Sequence, residues 1–504
     1  MLVAVMPWSM YLMSNAQILI ALNWFVEGDL LNKFKKVYKR PSILVFTTIF
    51  FVHLAGLLYT GDFDYAFNDL RIKIPLLSLP IIIGTSDTLT RKEFHLILKF
   101  FVASIIASGF FSLAIYLGLT PYQYTDYRSL SVFISHIRFS LLILLSIVVS
   151  IYFVLNSGGV IQKTIWVAST ILLLYFLMLL HTFTGIFILF VLLLVFIPFV
   201  IIKRVKKIYI KISSLLILLS MITFVTIKIY ESYKDFYVRD NTPDMRQIDK
   251  FTVNGNKYDN LKLRTYENGH ICELYICKKE LKANWNKISK INYDSTDEKG
   301  NKIKYTLIRY LTSKDLRKDS AGLASLSRKD IEAIEKGVPN YLYNNKFSVK
   351  PIVYKLLWQI ENYKQTNNPN SNSLIQRYEY LKAAKHIISH NYLFGVGTGD
   401  VQLSFDNYYE QSNSKLTKKY RLRAHNQFVT FVVAFGVTGF LIILFAIIYP
   451  IVYEKNKPQI LLTGFLLINF LSWLNEDTIE TQHGVTFFVL FYVLFVFAYK
   501  KQKE

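Results

Sequence analysis

The residues best suited to chemistry lie in Arg421-Leu-Arg-Ala-His425-Asn-Gln-Phe-Val-Thr, where a basic, polar tip runs into the apolar stretch Phe428–Ile448. His425 stands where a soluble loop meets a membrane helix. A histidine there can move a proton, and Arg421 and Arg423 can hold an anion. An ordinary wet helix start would use the same residue types. Upstream, Phe394-Gly-Val-Gly-Thr-Gly-Asp400 could bring the amides of Gly397 and Gly399 close to a phosphate. It lacks the Lys-Ser/Thr of a P-loop, and a tight turn explains it equally well. Ser135-His136-Ile-Arg138-Phe-Ser140 opens another apolar stretch, and His181-Thr-Phe-Thr-Gly185 lies between two more. His136, Arg138 and His181 are therefore candidate substrate contacts, because ionisable groups at membrane depth are costly and tend to be functional. Trp473-Leu-Asn-Glu476-Asp477, followed by Glu480, Gln482 and His483, supplies carboxylates that can cap helices or orient basic partners.

The elements that must position these groups are membrane helices. The chain has 504 residues, 52% of them hydrophobic, and a mean hydropathy of +0.30. About eleven apolar segments can be read from it by length and lack of charge. They run roughly over 2–26, 42–60, 72–87, 93–118, 131–156, 163–180, 184–202, 211–229, 428–449, 459–474 and 484–499. Pro75 and Pro80 break the pattern of the third, which is short and reads as tilted or partly re-entrant. If the segments alternate, the basic stretches Lys33–Arg40, Arg91-Lys92, Lys203–Lys211, Lys455 with Lys457, and the tail Lys500–Lys503 all fall on one side. The positive-inside rule makes that side cytoplasmic. The loops Gly61–Asp64, Pro121–Tyr124 and Asn475–Glu480 fall on the other, together with His425, Arg421, Arg423, Arg138, His136, His181 and the glycine turn. This alternation leaves the N-terminus outside, either with Met1 external or with one helix missing ahead of it. No secretory signal pattern is present at the start.

The fold class expected is an all-α polytopic membrane protein of about 11–12 transmembrane helices with one large external α+β loop domain. Residues 1–229 form an N-terminal membrane bundle, 230–427 the external domain and 428–504 a C-terminal bundle. Within the loop, Asn268-Gly269 between Leu261–Tyr266 and Ile271–Cys277 predicts a hairpin. Helices are predicted over Lys278–Ser289, Arg328–Lys336 (with Ser327 as N-cap and Gly337 as stop), Val349–Gln365 and Leu374–His390. Cys272 and Cys277 are the only cysteines, and neither a mutual disulfide nor a zinc site is expected from their spacing. Basic residues outnumber acidic ones in the external loop. An anionic partner accounts for that surplus, as does a generally lysine-rich composition.

The C-terminal block resembles the O-antigen ligase family of bacterial membrane glycosyltransferases. The likeness is carried by Ser373-Leu-Ile-Gln-Arg377-Tyr, Gly395-Val-Gly-Thr-Gly-Asp400, His425-Asn-Gln-Phe and Phe435-Gly-Val-Thr-Gly439. Thr306–Lys314 and Leu316–Asp319 are similar to a Bacteroidetes-type branch. The resemblance implies a glycosyltransferase-C-like bundle in the inner membrane with its large loop in the periplasm. It also implies no metal or other cofactor, and transfer of a glycan from undecaprenyl diphosphate to a sugar hydroxyl. A ligase uses lipid A–core as acceptor, and a polymerase uses another lipid-linked repeat. Membrane lipids are the remaining partners, and no nucleic acid is expected. The family's essential histidine maps to His425 and its loop arginine to Arg377, which makes these two the catalytic candidates. The family also has an arginine two residues before a glycine between two central spans. Here Phe183 holds that place, with Arg138 or His181 as the substitute anion contact. A transporter or a non-catalytic receptor is the alternative from another class, but a transporter should carry its ionisable groups deep in its spans rather than at one rim.

Overall fold

The computed structural model describes residues 1–122, 127–240, 248–259, 265–345, 348–370 and 372–499. Part of the expected strand before Asn268, part of the Pro121–Tyr124 loop and the basic tail beyond Tyr499 lie outside these residues. The chain is an all-α polytopic membrane protein. Among the described residues, seven helices are long and apolar enough to cross a membrane: Pro41–Tyr59, Arg91–Tyr116, His136–Asn156, Val160–Leu179, Phe183–Lys203, Ile208–Tyr237 and Gln427–Tyr453. Met10–Val26, Gln459–Trp473 and Gln482–Ala498 are shorter apolar helices.

Local chemistry explains where the apolar segments break. The first becomes Leu2–Val5 and Met10–Val26, with Pro7 between them and the Ser9 hydroxyl accepting from the Leu12 amide at the new start. The first residues of the third, read as 72–87, end the polar helix Phe63–Lys73, which Asp62 caps. Pro75 then opens the separate helix Pro75–Thr85, and Pro80, expected to break the pattern, lies inside that helix. His136–Asn156 is the most enclosed span, with 78% of its apolar window buried, and it packs against Val160–Leu179 and Gln459–Trp473.

One end of the bundle gathers Arg40, Glu454, Gly84 and Phe497. The Arg40 guanidinium pairs with Glu454 at 2.6 Å and donates to the Gly84 and Phe497 carbonyls. Leu89 donates its amide to Ala498 at the same end. Loops read from charge alone as lying on one side are thus in contact there.

Backbone contacts divide the chain into two compact units, Met1–Leu215 with Pro369–Glu504, and Leu216–Asn368. The second has its own core of Trp285, Leu307, Tyr310, Leu311 and Ile334. Its hairpin pairs Tyr266–Glu267 with His270–Ile271, and Asn268 and Gly269 both adopt positive φ, as a tight two-residue turn requires. Ser327 caps Arg328–Glu335 through a reciprocal box with Asp330, and Gly337 follows with φ +69°. Cys272 and Cys277 are free, buried thiols. The helices Ser373–His390 and Val401–Gln411 belong to the first unit. Their apolar residues Tyr380, Ala383, Ile387, Phe405 and Tyr409 enter the core of the bundle.

The helix Gln427–Tyr453 is broken at Gly436, where φ is +63° and ψ −172°. Only glycine adopts that conformation readily. The break frees backbone groups, and the segment 392–397 satisfies them. Val396 and Gly397 donate to the Val433 and Ala434 carbonyls, and Val437 and Thr438 donate to Tyr392 and Leu393. The backbones come so close that a Cβ on Gly436 would lie 2.3 Å from the Leu393 carbonyl. We expect Gly436→Ala to destabilise the protein by about 3 kcal/mol or more. Thermal unfolding in detergent measures this, and an unchanged midpoint would contradict it.

Candidate active site

The loop between Gln459–Trp473 and Gln482–Val493 organises the site. It presents Glu476, Asp477 and Glu480, each with a side chain no more than about a tenth exposed. Gln427, in the first turn of its helix, locks this loop from both directions. Its amide donates to Glu480 at 2.8 Å and its carbonyl oxygen accepts the Ile479 amide at 2.8 Å. The Thr430 hydroxyl donates to Asp477 at 2.8 Å. Asn426 accepts the Val429 amide as N-cap and donates its own amide to the Leu474 carbonyl. The start of the long helix and the acidic loop are therefore one hydrogen-bonded piece.

His425 immediately precedes that cap. It is half-buried, its ring centroid lies 5.7 Å from that of Tyr380, and its φ is +49°. A non-glycine residue in the left-handed region costs roughly 1–2 kcal/mol, although histidine is among the residues that tolerate it better. Among the described residues its ring makes no hydrogen bond. It lies within electrostatic reach of Glu476 and Asp477. Burial pushes both of those carboxyls above their usual range, against the pull of Arg138 on Glu476 and of Arg423 on Asp477.

Three arginines converge on the same loop. Arg377, on Ser373–His390, donates to Asn475 at 3.2 Å and approaches Glu476 at 3.7 Å. Arg138, at the start of His136–Asn156, approaches Glu476 at 3.7 Å and donates to the Asp477 carbonyl at 3.4 Å. Arg423 lies 3.9 Å from Glu480 and over the Tyr65 ring. These ion pairs are longer than hydrogen bonds. A guanidinium has five N–H donors. Among the described residues Arg377 and Arg138 each donate one hydrogen bond and Arg423 none, so most of their donors are unspent.

Lys73 behaves differently. It is completely buried, and its three N–H donors go to Asp69 at 3.3 Å, Glu480 at 2.9 Å and the Ile479 carbonyl at 2.9 Å. All its donors are spent, so it positions Glu480 rather than offering itself to a ligand. Burial alone would raise the Glu480 carboxyl, but Lys73 and Arg423 outweigh it and hold the group down at about 2.

The remaining sequence candidates have other surroundings. Arg421 donates to the Leu416 carbonyl and pairs with Glu410 at 3.8 Å, tying down its own loop. His136 is half-buried at the start of its span. His181 is exposed, with its ring 4.3 Å from Tyr127. Phe183 is 67% exposed. The Gly397 amide is taken by the Ala434 carbonyl and the Gly399 amide by the Thr60 hydroxyl, while Asp400 accepts from the Gly61 and Asp62 amides. With its amides occupied, the glycine turn is a packing device that docks on the Gly436 break and the 56–62 loop. Sequence reasoning missed Lys73, Asp69, Gln427 and Tyr65. The available signal was a lysine next to a proline-broken apolar segment with an aspartate four residues earlier, one helical turn away.

Residues 336–444 match the Wzy_C family model, described as O-Antigen ligase. The matched stretch includes Arg377, Arg423, His425 and Gly436, whereas Arg138, Lys73 and the acidic loop come from outside it. No curated protein matches the chain. This stretch, similar to the O-antigen ligase domain, holds the histidine and two of the three arginines around the acidic loop.

Proposed function

We propose that this protein is an inverting, metal-independent glycosyltransferase. It moves a glycan from undecaprenyl diphosphate to a sugar hydroxyl of lipid A–core, in the bacterial inner membrane, with the His425 end of the bundle facing the periplasm. The observation that carries this reading is the meeting of His425 with three arginines whose N–H donors are mostly unspent. His425 takes the proton of the acceptor hydroxyl as its oxygen attacks the anomeric carbon. The bond from that carbon to the diphosphate breaks, and its electron pair leaves with undecaprenyl diphosphate. Arg377, Arg138 and Arg423 hold the diphosphate and stabilise its developing charge. Glu476 and Asp477 steady the imidazolium that forms, and Glu480 keeps Arg423 in place. One displacement inverts the anomeric centre.

The test is in-vitro transfer from a lipid-linked donor with lipid A–core and a second lipid-linked repeat in competition. Consumption of lipid A–core supports the ligase assignment, and consumption of the second repeat makes the protein a polymerase. Arg377→Lys keeps the charge but loses the planar fork, so donor use should fall by roughly tenfold or more. Wild-type donor use by that variant would remove Arg377 from the diphosphate site.

A further inference from the structure

The second unit, Leu216–Asn368, contains a cavity of about 450 Å³. This lies within the roughly 300–1,000 Å³ typical of small-molecule sites. Two arginines stack on aromatic rings in its wall: Arg309 over Trp358 at 3.6 Å and Arg239 over Tyr266 at 4.4 Å. Stacking fixes the plane of each guanidinium and leaves its edge donors free. Arg309 spends one N–H on Glu267 at 2.8 Å. Arg239 makes no hydrogen bond among the described residues and only a 3.9 Å ion pair with Glu361. The indole N–H of Trp358 and the side-chain amides of Asn362 and Gln365 also make no hydrogen bond among the described residues.

The carboxylates of the wall are already committed. Glu267 serves Arg309 and Asn340, Glu273 accepts from the Thr265 amide and hydroxyl, and Glu361 accepts from Lys364 and the Tyr237 hydroxyl. They build the wall, while the unspent groups converge on the space inside. That set pairs aromatic rings with both donors and acceptors. The ligand it suits has an apolar ring face and a periphery of groups that donate and accept at once. A pyranose has that form, with C–H bonds on its faces and hydroxyls around its edge. A simple anion would use the arginines but leave the amides of Asn362 and Gln365 unanswered, and a purely apolar ligand would strand every unspent polar group.

We propose that the cavity of the second unit is a saccharide-binding site, with Trp358, Arg239, Asn362 and Gln365 among its contacts. That it takes a polyhydroxylated ring follows from the wall itself. That the ring belongs to a glycan undergoing transfer rests on the glycosyltransferase reading above.

The experiment is saturation-transfer difference NMR on the detergent-solubilised full-length protein. Maltotriose, chitotriose and tri-galacturonic acid serve as neutral, N-acetylated and acidic probes. At least one probe should receive saturation from the wild type. The signal should fall roughly tenfold in Trp358→Ala, as expected for losing a stacking and hydrogen-bonding contact, and it should persist in His425→Ala. Gln365→Ala, at an exposed position, should weaken binding without the folding risk of the tryptophan variant. If no probe receives saturation, the proposal fails. It also fails if the signal survives both Trp358→Ala and Gln365→Ala, or disappears in His425→Ala instead. Because the readout is binding, inactivity in the transfer assay would overturn the enzymatic reading and leave this one standing.

Discussion

Replacing His425 with alanine is expected to lower glycan transfer by about 10²–10⁴-fold, the usual contribution of a positioned general base. The substitution removes the imidazole within electrostatic reach of Glu476 and Asp477 and leaves the arginines in place, so donor binding should persist while turnover falls. His425 sits at φ +49°, which alanine tolerates poorly. His425→Asn is therefore the cleaner variant, because asparagine adopts that backbone readily but cannot accept the proton as imidazole does. Both should be inactive, and the asparagine variant should unfold at the wild-type temperature. Transfer near the wild-type rate by a folded His425→Asn protein would rule out His425 as the base.

Glu480→Gln is expected to cost about 3–5 kcal/mol of stability, the usual range for breaking a buried ion pair from one side. Lys73 is fully buried and would keep only Asp69 and the Ile479 carbonyl, with a neutral amide replacing its closest carboxylate. Arg423 would lose its one ion-pair partner among the described residues. The effect depends on pH. Lys73 and Arg423 hold the Glu480 carboxyl at about 2, below the roughly 4.3 of an unfolded glutamate. Its stabilisation is therefore fully present above the unfolded value and lost as pH falls towards 2. Glu476 and Asp477 are shifted upwards and carry the opposite sign, so the wild-type profile mixes the two. The difference between wild type and Glu480→Gln isolates Glu480: it should be large at pH 7 and shrink steadily below about pH 4. Thermal unfolding of both proteins across that range in detergent is the measurement. A pH-independent difference would mean that Glu480 acts through packing and not through charge.

Much of the membrane architecture was legible because hydrocarbon admits few solutions. A long uncharged stretch must be a helix there, and prolines mark where it breaks. Pro75 did so by opening a separate helix, whereas Pro7 divides a stretch read as one segment and Pro80 lies inside the helix Pro75–Thr85. Turn chemistry was equally legible at Asn268-Gly269 and at Ser327, where backbone requirements name the residue types. The glycine turn was not. Its spacing suits amides that approach a phosphate, but the same spacing suits amides that approach another backbone. Only the break at Gly436, more than thirty residues away, decides between the two.

The sequence by itself determined that this is a polytopic helical membrane protein, that a stretch similar to O-antigen ligase lies in its C-terminal third, and that His425 and Arg377 deserve the first experiments. These features are local, because hydropathy, helix caps and short motifs are properties of neighbouring residues. The tertiary structure decided which charges meet. It brings Arg138, from an early span, to Arg377, Arg423 and His425 around a loop that enters from a later helix pair, and it buries Lys73 beneath them with every donor spent. It also separates Arg421 from Arg423, two residues apart in the chain, by giving one to Glu410 and the other to Glu480. Electrostatic partnership depends on distance and burial in space, and neither can be read from spacing along the chain.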